Sequence, residues 1–82
     1  LIVYEAVASE QLSDTLVAQL KRGQVDGVSL LSPRTAHIFT RLLEKAGIAD
    51  SVQHMEAFCL SDAVAESLQP GWKAVRVTKA PT

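Results

Sequence analysis

The sequence predicts an α/β fold, with a parallel sheet of about four strands and helices on both of its faces. The first observation is a repeated junction, in which an apolar segment ending in Leu-Ser leads directly into a helical pattern, at residues 28–36 and again at residues 57–65. A short buried strand followed by a serine N-cap is typical of the βα junctions of a parallel sheet. The second observation is that short apolar segments alternate with amphipathic segments along the chain, which favours right-handed β-α-β units.

The first β-α unit is predicted over residues 1–23. Residues 1–7 are expected to form a strand, because their alternate positions are apolar on both faces. A helix is expected to start at residues 9–11, followed by apolar residues at helical spacing. Lys21 and Arg22 complement the helix dipole, and Gly23 ends the helix.

The second unit carries the clearest helix start. Residues 25–31 are almost continuously apolar, as strands that are covered on both faces tend to be. Ser32 and Pro33 follow as N-cap and first helical residue, because proline is already shaped for the first turn of a helix. The helix is expected to end at Gly47. Its predicted buried positions are Ile38, Phe39, Leu42, Leu43 and Ala46.

The remainder of the chain repeats the pattern with a shorter helix. Residues 53–60 are predicted as the third strand, and Ser61 as the N-cap of a helix from residue 62 to about residue 68. That helix stops before Pro70, and residues 72–78 are predicted as the fourth strand. No link is long enough to indicate an internal domain boundary.

Composition narrows the class of protein. The chain has 82 residues, of which 48% are hydrophobic, and a net charge of −1. No run of basic residues exceeds Lys21-Arg22, so we expect no nucleic-acid partner. No apolar segment is long enough to span a membrane. Cys59 is the single cysteine, which excludes an intrachain disulfide and favours the reducing cytoplasm, with Cys59 as a buried, unreactive thiol.

The candidate chemistry lies at the helix starts. No glycine-rich nucleotide motif is present, and His37 and His54 stand apart from other metal ligands, so neither a metal nor a cofactor is expected. Ser32 and Ser61 are expected to cap helices whose free N–H groups can receive carboxylates or phosphates. Arg34, a cation in a first helical turn, indicates either a nearby anion or a solvated side chain.

The chain resembles the uroporphyrinogen-III synthase family over essentially its whole length. The segments that carry the resemblance are Val3-Tyr4-Glu5-Ala6-Val7, Gly23-x-Val25-Asp26-Gly27-Val28, Leu31-Ser32-Pro33-Arg34-Thr35-Ala36-x-x-Phe39, Cys59-Leu60-Ser61-x-Ala63-Val64-Ala65, Gly71-Trp72 and Ala80-Pro81-Thr82. The resemblance implies a cofactor-free enzyme of tetrapyrrole biosynthesis, with two Rossmann- or flavodoxin-like domains. Its substrate would be hydroxymethylbilane, a linear tetrapyrrole with eight carboxylates, held in the cleft between the domains and cyclised through a spiro intermediate.

The resemblance also assigns roles to individual residues. Tyr4 matches the family's tyrosine at the linker exit and would hydrogen-bond the departing hydroxyl of the substrate. Ser32 matches the serine of the family's Ser-Pro junction, which would bind a substrate carboxylate, with Arg34 beside it. Ser61 begins the second junction, where many members have a threonine at the position of Val64. Here Ser61 would supply the hydroxyl instead.

The resemblance further implies that the chain is part of a larger enzyme. Residues 1–8 would be the inter-domain linker strand, and residues 9–82 part of an α/β domain that faces a second α/β domain of the same protein. We therefore expect these residues alone to be inactive. Two alternatives remain open: a non-catalytic Rossmann-like module that binds a phosphate or carboxylate at its helix N-termini, and a half-domain that serves only as a dimerising structural unit.

Overall fold

The computed structural model describes residues 2–7 and 11–77. The elements, in chain order, are β1 (Val3–Glu5), α1 (Asp14–Lys21), β2 (Gly27–Leu30), α2 (Pro33–Lys45), a 3₁₀ helix (Ala49–His54), β3 (Glu56–Cys59), α3 (Asp62–Glu66) and β4 (Ala74–Val77). The strands form one sheet in the order β1-β2-β3-β4, and each neighbouring pair is parallel. The predicted α/β class and the parallel sheet of four strands are confirmed.

One face of the sheet carries the hydrophobic core. The register places Val28 beside Ala57 and Leu30 beside Cys59, so these four side chains point to the same face. All four are essentially inaccessible to solvent. The buried residues that the helices add to the same cluster are Leu16, Leu20, Ala36, Phe39, Leu43, Val52 and Val64. The described helices therefore pack on this face.

The opposite face, which the sequence analysis also expected helices to cover, is open in the described part of the chain. Val3 of β1 is exposed there, and the alternation continues past the strand ends to Val7, Leu31 and Leu60; all four are at least 40% exposed. The strand order explains this arrangement. Because each strand lies beside its predecessor, every right-handed crossover runs in the same direction across the sheet and returns over the same face.

Gly27 is required on the open face by its neighbour Phe58. A Cβ atom at position 27 would lie 2.5 Å from Cε2 of Phe58, well inside van der Waals contact. The ring of Phe58 therefore lies over the backbone of β2 and shields part of the open face. Arg76 of β4 pairs with Glu56 of β3 on the same face, with Nη2 3.0 Å from Oε1.

Phe39 is the central aromatic residue of the core. Its ring centroid lies 6.1 Å from that of Tyr4 on β1 and 6.4 Å from that of Trp72, which precedes β4. Both pairs are tilted, a geometry in which aromatic rings attract each other beyond their area burial. Phe39 itself is buried, whereas its two partners are half-buried. Helix α2 thus packs against β1 and against the segment that precedes β4.

The predicted start of the first helix is wrong. Helix α1 begins at Asp14, and its N-cap is Ser13, whose Oγ accepts a hydrogen bond from the backbone N–H of Leu16 at 3.1 Å. Leu12 immediately precedes the N-cap, and Val17 is the fourth residue of the helix. These are the two positions of a hydrophobic staple, and both side chains pack against the core. The serine cap and the staple together favour a start at Asp14, three residues after the end of the predicted segment 9–11, of which residues 9 and 10 lie outside the described residues.

The predicted third strand is also too long. Residues 53 and 54 belong to the 3₁₀ helix Ala49–His54, and β3 begins at Glu56. Backbone bonds from Ser51 N to Ile48 O and from Met55 N to Val52 O close tight turns there. The other strands are likewise shorter than predicted, and α3 ends at Glu66. The start of α2 at Pro33, after the cap Ser32, is confirmed.

Candidate functional site

The helix N-termini of the second and third β-α units lie side by side at the carboxyl edge of the sheet. Leu30 and Cys59 are register partners, and the backbone N–H of Leu60 still donates to Leu30 O at 3.2 Å. Ser32 and Ser61 each follow two residues after this pair, so they cap neighbouring helices. Helices α2 and α3 are in contact. The structure thus brings together the two serines that the sequence indicated.

Ser13 is a third serine at a helix start, and it was not among the serines predicted from the sequence. Helix α1 leads from the end of β1 to the start of β2, so in a parallel sheet its N-terminus faces the same carboxyl edge. The signal that could have found this cap is local: Ser13 followed by Asp14, with Leu12 and Val17 at the staple positions. Three helices of this fold therefore start with a serine.

Ser32 has the more elaborate hydrogen bonding of the two predicted serines. Its Oγ accepts from the backbone N–H of Thr35 at 3.1 Å and lies 2.9 Å from Oγ1 of the same residue. Thr35 is buried, and no other acceptor for its hydroxyl is found among the described residues. A buried hydroxyl that does not donate is costly, so we assign Thr35 as the donor. Ser32 Oγ then accepts twice, and its own proton is free to point outward.

Ser61 makes a weaker cap. Its Oγ accepts from the backbone N–H of Val64 at 3.4 Å, near the limit of a hydrogen bond. Helix α3 has only five residues, and Asp62 stands in its first turn. The negative charge of Asp62 stabilises the helix start but opposes an incoming anion. The two predicted anion-binding junctions are therefore unequal.

Arg34 lies in the first turn of α2 with its side chain exposed. Within residues 2–7 and 11–77, the one ion pair is that of Arg76 with Glu56, so Arg34 is not neutralised by a carboxylate of this part of the chain. A cation at this position opposes the helix dipole. Beside the free proton of Ser32, it gives the start of α2 a local preference for anions.

Tyr4 is not beside the serines. It pairs with Val28 in the register of β1 and β2, four residues before Ser32, and its side chain points to the core face. The ring is half-buried against Phe39. No hydrogen bond to its hydroxyl is found in the described residues. The described geometry therefore separates Tyr4 from the edge at which the helices begin.

The remaining reactive side chains do not form a site. Cys59 is a free, buried thiol, and burial raises the pKa of this thiol, which keeps it protonated and unreactive. No group of three or more metal-ligating side chains occurs within residues 2–7 and 11–77, and His37 and His54 lie exposed. Within the same residues, no helix has both the length and the apolar content needed to cross a membrane.

Comparison with known proteins gives one finding. A protein-family model described as uroporphyrinogen-III synthase HemD matches residues 1–82. Neither the curated proteins nor the solved structures give a significant match. The family match covers every residue of the chain, including both serine junctions and the strand that carries Tyr4.

Proposed function

The chain belongs to the uroporphyrinogen-III synthase family, and from that premise we propose that it forms one wall of the enzyme's substrate cleft. The family implies a role in uroporphyrinogen-III synthesis, a step of heme biosynthesis, with hydroxymethylbilane as substrate and a lyase activity for the parent protein. The family match over the whole chain carries this proposal. The adjacent helix starts at Ser32 and Ser61 indicate where these residues would meet the substrate.

The proposed reaction makes modest chemical demands on the protein. Ring A of hydroxymethylbilane loses its hydroxyl with a proton as water, which leaves an azafulvene cation. The substituted carbon of ring D attacks this cation and forms a spiro intermediate, which fragments and recloses with ring D inverted. The azafulvene cation is reactive enough to form the carbon–carbon bond largely without help from the protein. The protein therefore chiefly has to hold the substrate in a folded conformation and prevent ring closure without inversion of ring D.

We propose that the start of α2 binds a substrate carboxylate. With Thr35 assigned as the hydroxyl donor, Ser32 Oγ accepts two hydrogen bonds, and its own proton would point outward to a ligand. The free backbone N–H groups of the first turn and the unpaired cation of Arg34 add positive potential. Ser61 is proposed as a second, weaker carboxylate donor, because Asp62 and the short helix α3 reduce its attraction.

Tyr4 is proposed to hydrogen-bond the departing hydroxyl of ring A. Its phenol has no hydrogen-bond partner in the described residues. A neutral phenol can donate a hydrogen bond to the departing hydroxyl without itself becoming charged. Tyr4 lies level with Val28, four residues before Ser32, so the two side chains would contact different parts of a long, linear substrate. The two residues would thus act on separate rings.

The open face of the sheet supports the proposed domain organisation, in which residues 1–8 form a linker strand and residues 9–82 part of an α/β domain. Parallel sheets are almost always covered on both faces, yet Leu31 and Leu60 remain exposed here. Within residues 2–7 the proposed linker forms the edge strand β1, hydrogen-bonded to β2. We propose that a second α/β domain of the same protein completes the cleft, so residues 1–82 alone would not catalyse the reaction. The buried, unpaired thiol of Cys59 supports a cytoplasmic location.

The proposal is tested with the full-length protein and hydroxymethylbilane. The products are oxidised to porphyrins, and the type III isomer is separated from the type I isomer, which forms without the enzyme. We expect type III from the unmodified protein and a strong loss of kcat in Tyr4→Phe. If only type I is formed, the alternative of a non-catalytic anion-binding module is favoured.

A matched pair of variants tests Ser32 without loss of its cap. Aspartate and threonine both serve as N-caps, so Ser32→Asp and Ser32→Thr keep the start of α2. Aspartate, however, places a negative charge against the substrate carboxylate. We expect KM to rise about tenfold or more in Ser32→Asp, because a hydrogen bond to a charged group contributes about 1.5–3 kcal/mol, and less than threefold in Ser32→Thr. Equal KM values would exclude Ser32 from the binding site.

A further inference from the structure

The outer side of helix α2 carries a line of three cations. Arg34, Arg41 and Lys45 follow one another at intervals of seven and four residues, which places them within a narrow stripe at 3.6 residues per turn. All three are exposed, whereas Phe39 and Leu43 on the opposite side are buried. At a rise of about 1.5 Å per residue, this basic line is about 16 Å long.

Within residues 2–7 and 11–77, no carboxylate forms an ion pair with the basic line. The acidic residue of α2 is Glu44, which forms no ion pair with the line, and the carboxylates of α3, Asp62 and Glu66, form none either. Helix α2 has three cations and one carboxylate and is therefore locally positive, whereas the chain as a whole has a net charge of −1. A run of unpaired charge of this length gives a local potential that reaches about 8–10 Å into solution at physiological salt.

We propose that the basic line is an electrostatic guide that attracts the polycarboxylate substrate and leads it toward the start of α2. This inference rests on the proposed function. A surface of positive potential attracts a molecule with eight carboxylates and raises its local concentration beside α2. The line ends at Arg34, two residues from the proposed carboxylate donor Ser32. Arg41 and Lys45 act during approach and do not touch the bound substrate.

The guide is tested by the double variant Arg41→Glu/Lys45→Glu of the full-length protein. The matched control is Lys21→Glu/Arg22→Glu, which changes the net charge equally and likewise removes a cation from the last turn of a helix. The probe is uroporphyrin I, a fluorescent tetrapyrrole with eight carboxylates, and its association rate is measured by stopped-flow fluorescence over a range of ionic strength. Steering by surface charge changes association rates by about 10–1,000-fold.

We expect the association rate of the α2 variant to fall about tenfold or more at an ionic strength of about 0.02 M, and to approach that of the unmodified protein at about 0.5 M, where the Debye length is a few ångströms. The control is expected to change less than threefold. Equal losses in both variants, or a loss that salt does not reduce, would overturn the guide. Type III turnover by the unmodified protein is measured separately, so failure of the proposed function is distinguished from failure of the guide.

Discussion

Replacement of Ser32 by alanine has a cost that follows from its two hydrogen bonds with Thr35. Loss of a serine N-cap costs about 1 kcal/mol. In Ser32→Ala the buried hydroxyl of Thr35 also loses the acceptor 2.9 Å away, which adds about 1–3 kcal/mol for an unsatisfied buried group. We therefore expect Ser32→Ala to lower the free energy of unfolding by about 2–4 kcal/mol.

The measurement is urea denaturation of the full-length protein, followed by far-ultraviolet circular dichroism. Ser61→Ala is the control, because its cap bond is long and no second hydroxyl depends on it, so a loss of about 1 kcal/mol or less is expected. The double variant Ser32→Ala/Thr35→Val removes the stranded hydroxyl. Relative to Ser32→Ala alone, it should recover about 1 kcal/mol or more.

Two results would refute this reasoning. If Ser32→Ala costs no more than Ser61→Ala, the hydroxyl of Thr35 finds another acceptor, and the outward direction of the Ser32 proton is lost with it. If the effects of Ser32→Ala and Thr35→Val simply add, the two hydroxyls do not interact energetically. Either result would remove the structural ground for Ser32 as a directed carboxylate donor.

Three further predictions concern the core and the open face. Phe39→Ala should lower the free energy of unfolding by about 3–5 kcal/mol in the same denaturation assay, because it empties the contact between the two half-buried rings. Gly27→Ala should cost about 1–3 kcal/mol, because the new Cβ meets the ring of Phe58 and, less closely, the backbone carbonyl oxygen of Glu56. Phe58→Ala should relieve the larger part of that cost in the double variant; an additive double variant would contradict the contact. Burial raises the pKa of the Cys59 thiol, so the folded state binds the thiol proton more tightly than the unfolded state does. The stability gained from this difference is complete below the ordinary pKa of 9.0 and is lost as the pH rises above that value. Unfolding free energies from pH 7 to 10 should therefore fall more steeply for the unmodified protein than for Cys59→Ala.

The features that the sequence predicted well depend on a few neighbouring residues. Ser32-Pro33 and Ser61 set their helix starts through bonds to residues three positions later. Gly47 follows α2 with a positive φ of 72°, as expected for a residue that ends a helix. The alternation of apolar strands and amphipathic helices was enough to predict a parallel α/β sheet.

The features that were missed depend on distant residues or on helix phase. Coverage of the sheet on one face follows from the strand order, which local apolar patterns do not contain. The hydroxyl pair of Ser32 and Thr35 requires the burial of Thr35 to be known. Arg41 and Lys45 are separated in sequence from Arg34, and they form a line only after α2 is wound. Sequence clustering of basic residues therefore failed to find them.

The position of Phe39 between Tyr4 and Trp72 allows the docking of β1 against α2 to be followed by the protein's intrinsic fluorescence. These are the single tyrosine and the single tryptophan of the sequence, and both rings contact the same phenylalanine. Excitation of the tyrosine can pass to the tryptophan while strand β1 stays docked against α2, and it fades when the strand moves away. In a protein whose tyrosines and tryptophans outside residues 1–82 are replaced, tyrosine-sensitised emission from Trp72 would therefore report any displacement of β1, the strand proposed to join the two domains, as a substrate enters the cleft between them.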